Sequence, residues 1–172
     1  FITMSYIDLP NRLKEVEQQL EKNLKIAQKF TDKTKEGKIK DNQQERKRLE
    51  EEISFLKSYI HRGDSVVPLS GTLTIEFGKT SENLYAGMNE EFRHYQPAIP
   101  TWFETAQHSF ERGADTHNMG GIENNLEGGL INFKSKFNPT IEEFVGEFNY
   151  PTSSLYFLFN LAYKIRKKLR SR

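Results

Sequence analysis

Two runs of residues at heptad spacing, separated by a short polar break, constrain this chain more than any other feature. Leu13, Val16, Leu20, Asn23, Ala27 and Phe30 follow one another at alternating steps of three and four, a helical seam with one polar position. Residues 31–37 break the pattern, and Ile39, Asn42, Arg46, Leu49, Ile53, Leu56 and Ile60 restart it at the same spacing. Pro10 suits a first helical turn, where its missing amide costs nothing, and Gly63 suits a helix end. The spacing predicts an antiparallel coiled-coil hairpin over residues 10–62. Each arm would be roughly 30–35 Å long at 1.5 Å per residue. Isolated helices of that length are marginal in water, so the arms should pack on each other along the seam.

Outside the hairpin the period changes. Residues 1–7 alternate like a strand already under way, with no initiator Met, and the chain reads as cut out of something longer. Leu69, Gly71, Leu73, Ile75 and Phe77 alternate with Ser70, Thr72, Thr74 and Glu76, which predicts a second strand. Turn residues 78–83 lead to a third strand, 84–87. Ile99, Trp102, Phe103, Ala106 and Phe110 share one face of a helix that starts at Pro100 and ends by Gly113. A short strand at 116–119 precedes a helix carrying Leu130, Phe133 and Phe137, which stops before Pro139. Residues 144–148 read as a last strand, and an apolar helix runs from Ser153 into a basic tail. The result is an α+β or α/β fold, with α+β the expectation, divided into a strand (1–9), the helical arm (10–62) and a sheet with helices (63–172).

Charge is polarised although the formal net charge is only +1. Residues 1–62 carry net +3, residues 63–163 net −8, and residues 164–172 six positive charges with no acid. Seven lysines, Lys22, Lys25, Lys29, Lys33, Lys35, Lys38 and Lys40, crowd the far end of the arm. They form either a solvated face or a contact for the phosphates of a nucleic acid. The apolar, cationic segment 155–172 is either core with a solubilising tail or an element that adsorbs to an anionic membrane.

Zero cysteines exclude a disulfide scaffold, a thiolate nucleophile and Cys-ligated metal. His61, His94, His108 and His117 are scattered with no metal-binding spacing, so no metal site is predicted. No G-x-S-x-G, P-loop or G-x-G-x-x-G occurs. No apolar stretch approaches the roughly 18 residues of a membrane span and no signal peptide opens the chain, which predicts a soluble, intracellular protein. What remains is a pair of glycine doublets, Gly120-Gly121 and Gly128-Gly129, where backbone can approach a ligand or simply turn. Shortly after them comes Lys134, anchored between Phe133 and Phe137: a surface lysine, or one that stabilises the oxyanion of an acyl transfer.

An ordered series of motifs goes further. Leu84-Tyr85-Ala86-Gly87-Met88, Met119-Gly120-Gly121-Ile122-Glu123-Asn124, Gly128-Gly129-Leu130, Phe133-Lys134-Ser135-Lys136-Phe137-Asn138-Pro139 and Glu142-Glu143-Phe144-Val145-Gly146-Glu147-Phe148 follow the hairpin in turn. The series resembles the C-terminal part of the FemABX family of tRNA-dependent peptidoglycan aminoacyltransferases, most closely the streptococcal MurM and MurN type. The resemblance implies the C-terminal half of an acetyltransferase-like (GNAT) domain into which the coiled-coil arm is inserted. It implies transfer of alanine, serine or glycine from aminoacyl-tRNA to the stem-peptide lysine of lipid II or of UDP-MurNAc-pentapeptide. This forms interpeptide branches linked with β-lactam resistance. It also implies a cytoplasmic location at the inner face of the cell membrane, with aminoacyl-tRNA as co-substrate and no cofactor. By resemblance, Lys134 stabilises the tetrahedral intermediate, Phe133 lies beside it in the acceptor site and Tyr85 contacts the bound precursor; Gly120 and Gly121 are the substrate-binding candidates of the glycine loop itself. A second family tyrosine is replaced here by Asn83, which favours lipid II over a UDP-linked acceptor. The alternative from another class is a non-catalytic coiled-coil scaffold that binds tRNA or a partner.

Overall fold

The computed structural model describes residues 1–122, 127–146, 148, 150–153 and 155–170. Residues 123–126 between the glycine doublets, Glu147 of the expected last strand and the final two residues of the basic tail lie outside the described residues. The protein is a mixed α+β structure in two compact units, Phe1–Phe137 and Asn138–Arg172. The first unit contains strand β1 (Ile2–Asp8), helices α1 (Leu9–Ala27) and α2 (Glu36–His61), and strands β2 (Val66–Phe77) and β3 (Thr80–Met88). A 3-10 turn (Glu90–Tyr95), helix α3 (Ala98–Glu111), strand β4 (Thr116–Asn118), helix α4 (Gly129–Lys134) and a second 3-10 turn (Ser135–Phe137) complete it.

Helices α1 and α2 lie side by side and antiparallel, since Arg12 meets Glu52 and Asn23 meets Asn42. Asp8 caps α1 by accepting from the amide of Asn11 at 2.9 Å, with Pro10 in the first turn. Helix α2 is followed by Gly63, whose φ of +94° lets the chain reverse while the Gly63 and Asp64 amides donate back to Ile60 and Tyr59. Val16, Asn23, Leu49 and Leu56 of the predicted seam are buried. Arg46 departs from it: its side chain is exposed and pairs with Glu50, and Glu52 is buried instead. Phe30 falls in the connection after α1, and Gly37 lies inside α2 rather than in the break.

The apolar core sits at the root of this arm. Leu9, Val16, Leu49, Leu56, Tyr59, Val67, Leu69 and Phe92 pack together, joining both helices to the start of β2 and to the first 3-10 turn. Burying such side chains contributes about 1.5–3 kcal/mol each relative to exposure. Glu52 reinforces the junction. It accepts from Arg12 Nε at 2.9 Å and from the Tyr95 hydroxyl at 2.8 Å.

The four strands run in the order β1-β2-β3-β4; β1/β2 and β2/β3 are antiparallel and β3/β4 is parallel. Helix α3 covers one face, and the covered face is the polar one. Ser70, Thr72 and Thr74 of β2 are buried, whereas Ile75 and Phe77 are exposed, as are Ile2, Met4 and Tyr6 of β1. Helix α3 matches this with Thr101, Thr105 and Ser109, buried at intervals of four and each donating to the carbonyl four residues back. The expected apolar face of this helix is therefore corrected: Trp102 is buried, but Phe103 and Phe110 are exposed. Thr72 and Thr105 share a hydrogen bond at 2.7 Å, so the two hydroxyl surfaces satisfy each other.

Two further expectations change. Residues 144–146 and 148 form no strand, because Gly146 adopts φ +86° and leaves extended backbone, and Phe144, Val145 and Phe148 are exposed. The helix before Pro139 is one short α segment finished by a 3-10 turn. The second unit contains α5 (Leu155–Arg170). No described helix is long and apolar enough to cross a membrane.

Candidate functional site

Lys134 ends α4 and is only 5% exposed. Its Nζ donates to the carbonyls of Gly120 at 2.8 Å and Gly121 at 2.7 Å, which uses two of three ammonium hydrogens. The face of Trp102, on α3, lies 5.9 Å from the same nitrogen. Phe133 meets Trp102 edge-on at 5.2 Å and Phe137 at 5.6 Å, so the aromatic residues flanking Lys134 pin α4 against α3. Burial pushes the Lys134 pKa below the ordinary lysine value. The group is a buried cation held by neutral carbonyls, which can present a further N–H to an oxygen that gains charge.

Gly120 is required by this geometry. Its φ is +78°, and its amide donates to Asn118 Oδ1 at 2.8 Å, closing the turn that leaves β4. A Cβ there would lie 3.5 Å from the Asn83 carbonyl oxygen and 3.8 Å from Lys134 Nζ. Gly121 contributes its carbonyl to Lys134, and no atom crowds the position of its missing Cβ within 4 Å.

The structure thus brings together Lys134, Phe133, Gly120 and Gly121. Tyr85 is placed elsewhere. A register shift in the β2/β3 ladder pairs Thr74 with Asn83 but Leu73 with Tyr85, so Asn83 and Tyr85 face opposite sides of the sheet. Asn83 is buried beneath α3, while Tyr85 is 73% exposed on the other face. The seven arm lysines are all exposed, and Lys25 is paired with Glu21 at 2.6 Å.

Residues not singled out by motif also meet here. Thr74 Oγ1 donates to Asn83 Oδ1 at 2.7 Å. His117, paired with Ser81 across β3/β4, has its Nδ1 2.8 Å from Ser81 Oγ and 3.4 Å from Ser109 Oγ. Burial lowers the His117 pKa, so the neutral ring is favoured. The available signal was the hydroxyl residue at every fourth position of α3, opposite an alternating Ser/Thr face on β2.

The sequence profile of the FemAB family matches residues 1–164. The chain belongs to this family. It is 29% identical over 167 residues to a lipid II:glycine glycyltransferase of Staphylococcus saprophyticus, covering 94% of this chain and 39% of the relative. It is 32% identical over 90 residues to the aminoacyltransferase FemB of Staphylococcus epidermidis, covering 49% of this chain and 22% of the relative. A crystal structure of FemX superposes with a TM-score of 0.47 at 24% identity, covering 76% of this chain and 36% of that one. This FemAB-family chain therefore spans less than two-fifths of the length of the curated relatives it matches.

Proposed function

We propose that this chain is part of a longer aminoacyltransferase that builds peptidoglycan branches on lipid II, taking the amino acid from aminoacyl-tRNA. Membership of the FemAB family and the names of the relatives, a lipid II:glycine glycyltransferase and FemB, support the reaction class. The observation that carries the reading is Lys134, a buried ammonium held by the Gly120 and Gly121 carbonyls. In the transfer, a stem-peptide amine attacks the ester carbonyl carbon. A C–N bond forms, the ester C–O bond breaks, and the ribose hydroxyl leaves carrying the proton lost by the amine. The carbonyl oxygen bears negative charge in between, and Lys134 donates to it. An ammonium in a water-poor site is worth far more there than in bulk water. The step needs no enzyme nucleophile and no cofactor.

In this reading the chain supplies the latter half of an acetyltransferase-like domain, and the α1/α2 pair is a coiled-coil arm inserted into it. The exposed arm lysines would supply positive charge for tRNA phosphates. Helix α5, with Leu155, Leu158, Phe159 and Leu169 exposed and a basic end, holds the enzyme at the cytoplasmic face of the membrane, where lipid II resides.

The test uses the full-length protein that contains this chain, with alanyl-, seryl- or glycyl-tRNA and a lysine-containing lipid II. Transfer is expected in the wild type and is expected to fall about 100-fold or more in Lys134→Met. Transfer equal in both removes Lys134 from the reaction, and no transfer from any aminoacyl-tRNA removes the reading itself.

A further inference from the structure

Helix α4 is six residues long, Gly129–Lys134, and no side chain caps its start. A helix that short is not stable by itself, so its place is set by what it touches. Lys134 Nζ reaches back to the Gly120 and Gly121 carbonyls at 2.8 and 2.7 Å. The two phenylalanines flanking Lys134 meet a single indole, that of Trp102 on α3. Phe133 stands edge-on to it at 5.2 Å, and Phe137 lies tilted at 6.4 Å.

Trp102 is 8% exposed, yet it stands outside the apolar core at the root of the arm. Its indole is a packing surface for α4, and the face of the same ring lies 5.9 Å from Lys134 Nζ. Packing alone calls for any apolar side chain of that size. The cation over the ring adds an interaction of another kind. An aromatic face carries partial negative charge, and indole is the best of the protein rings at attracting a cation. Lys134 is 5% exposed, and burial works against its charged form. The glycine carbonyls take two of the three ammonium hydrogens. The indole face attracts the charge without accepting a conventional hydrogen bond, so it does not compete for the third. A further carbonyl or a carboxylate in its place would compete.

We propose that Trp102 is a positioning residue for the transfer: its ring face holds the Lys134 ammonium where it donates to the ester carbonyl oxygen of the aminoacyl donor. This rests on the assignment of Lys134 made above. Trp102 acts through Lys134, and its electrostatic role is separable from its packing role.

The experiment uses the full-length protein and reads kcat, KM for lipid II and thermal midpoint for Trp102→Phe, Trp102→Leu and Lys134→Met. It adds proteins carrying mono-, di- or trifluorinated tryptophan at position 102 alone. Fluorine draws electron density from the ring face and changes its shape little, so it weakens attraction for a cation while leaving the packing in place. Trp102→Leu is expected to lower kcat about 10-fold while KM for lipid II stays within about twofold, and Trp102→Phe to recover part of the loss. Along the fluorinated series kcat is expected to fall stepwise at constant thermal midpoint. This series decides the matter where Trp102→Leu fails to fold. In the Lys134→Met background fluorination is expected to change nothing further. If Lys134→Met is inactive while the fluorinated proteins keep wild-type kcat, Trp102 only packs, the proposal falls and the assignment of Lys134 stands. A fluorine effect that persists in the Lys134→Met background also overturns the proposal. If Lys134→Met keeps full activity, the assignment of Lys134 falls and the proposal with it.

Discussion

Asn23 and Asn42 exchange hydrogen bonds across the helical arm: each side-chain amide donates to the other residue's backbone carbonyl, at 3.1 and 3.2 Å. The pair occupies the polar step of both seams, and the reciprocity holds only when residue 23 is opposite residue 42. A polar pair at a seam position specifies register at some cost in stability. The buried, unpartnered Asn23 Oδ1 is part of that cost.

Replacing both residues, Asn23→Leu with Asn42→Leu, is expected to leave thermal stability equal to or above that of the wild type. Asn23→Ala alone should lower it by about 1–2 kcal/mol, since a cavity is made and the Asn42 carbonyl loses the side-chain amide that donates to it. Denaturant unfolding of the three proteins measures the difference.

The root of the arm depends on one carboxylate. Glu52 is 8% exposed and gathers Arg12, Tyr95 and, at 3.7 Å, Arg48. Glu52→Ala leaves the Arg12 guanidinium and the Tyr95 hydroxyl without their shared acceptor, and a loss of about 2–3 kcal/mol is expected in denaturant unfolding. Reversing the exposed Lys47–Glu51 pair, by contrast, should change stability by less than about 0.5 kcal/mol.

His117 makes stability depend on pH. Burial lowers its pKa from the usual 6.5, so the unfolded chain takes up a proton at higher pH than the folded one. The contribution is full above pH 6.5 and is lost as pH falls through the window between 6.5 and the lower folded value. His117→Gln should flatten the stability curve on the acidic side relative to the wild type, as read from thermal midpoints across that range.

Gly120→Ala is expected to cost about 1 kcal/mol of stability, because alanine is strained at a φ of +78°. The larger effect should be on transfer by the full-length protein, because relief of that strain moves the carbonyl that holds Lys134 Nζ. Activity falling more steeply than stability, in parallel assays, is the expected signature.

Helix α5 should carry the protein to anionic vesicles. Full-length protein is expected to sediment with phosphatidylglycerol vesicles and not with phosphatidylcholine ones, at about 1 kcal/mol per basic residue near the surface. Lys164→Glu with Lys167→Glu should abolish the difference, as should raised salt.

The arm was legible because helical periodicity is local: seam, first-turn Pro10 and terminating Gly63 all lie within a few residues of what they control, whereas the Asp8 cap emerged from the structure. Lys134 stood out in the sequence only through the ordered series of motifs around it, and its burial against the Gly120 and Gly121 carbonyls is a product of the tertiary structure. Asn83 and His117 were not legible in this way. Their burial and contacts come from Thr74, Ser81 and Ser109, which reach them across strands and from α3.

The alternation along β2 determined by itself which residues share a side of the strand: Ser70, Thr72 and Thr74 on one, Leu73 and Ile75 on the other. Only the tertiary structure decided which side is covered. An apolar-inward rule would have put Leu73, Ile75 and Phe77 under the helix, but α3 arrives with Thr101, Thr105 and Ser109 toward the sheet. Buried hydroxyls must find partners, and the Thr72–Thr105 bond supplies one only if the polar faces meet. The same holds one strand over. Two residues apart in sequence, Asn83 and Tyr85 would share a face on a regular strand. The bulge sends Asn83 to the covered side, where Thr74 meets it, and Tyr85 to the other, because one extra residue in the ladder reverses the alternation beyond it.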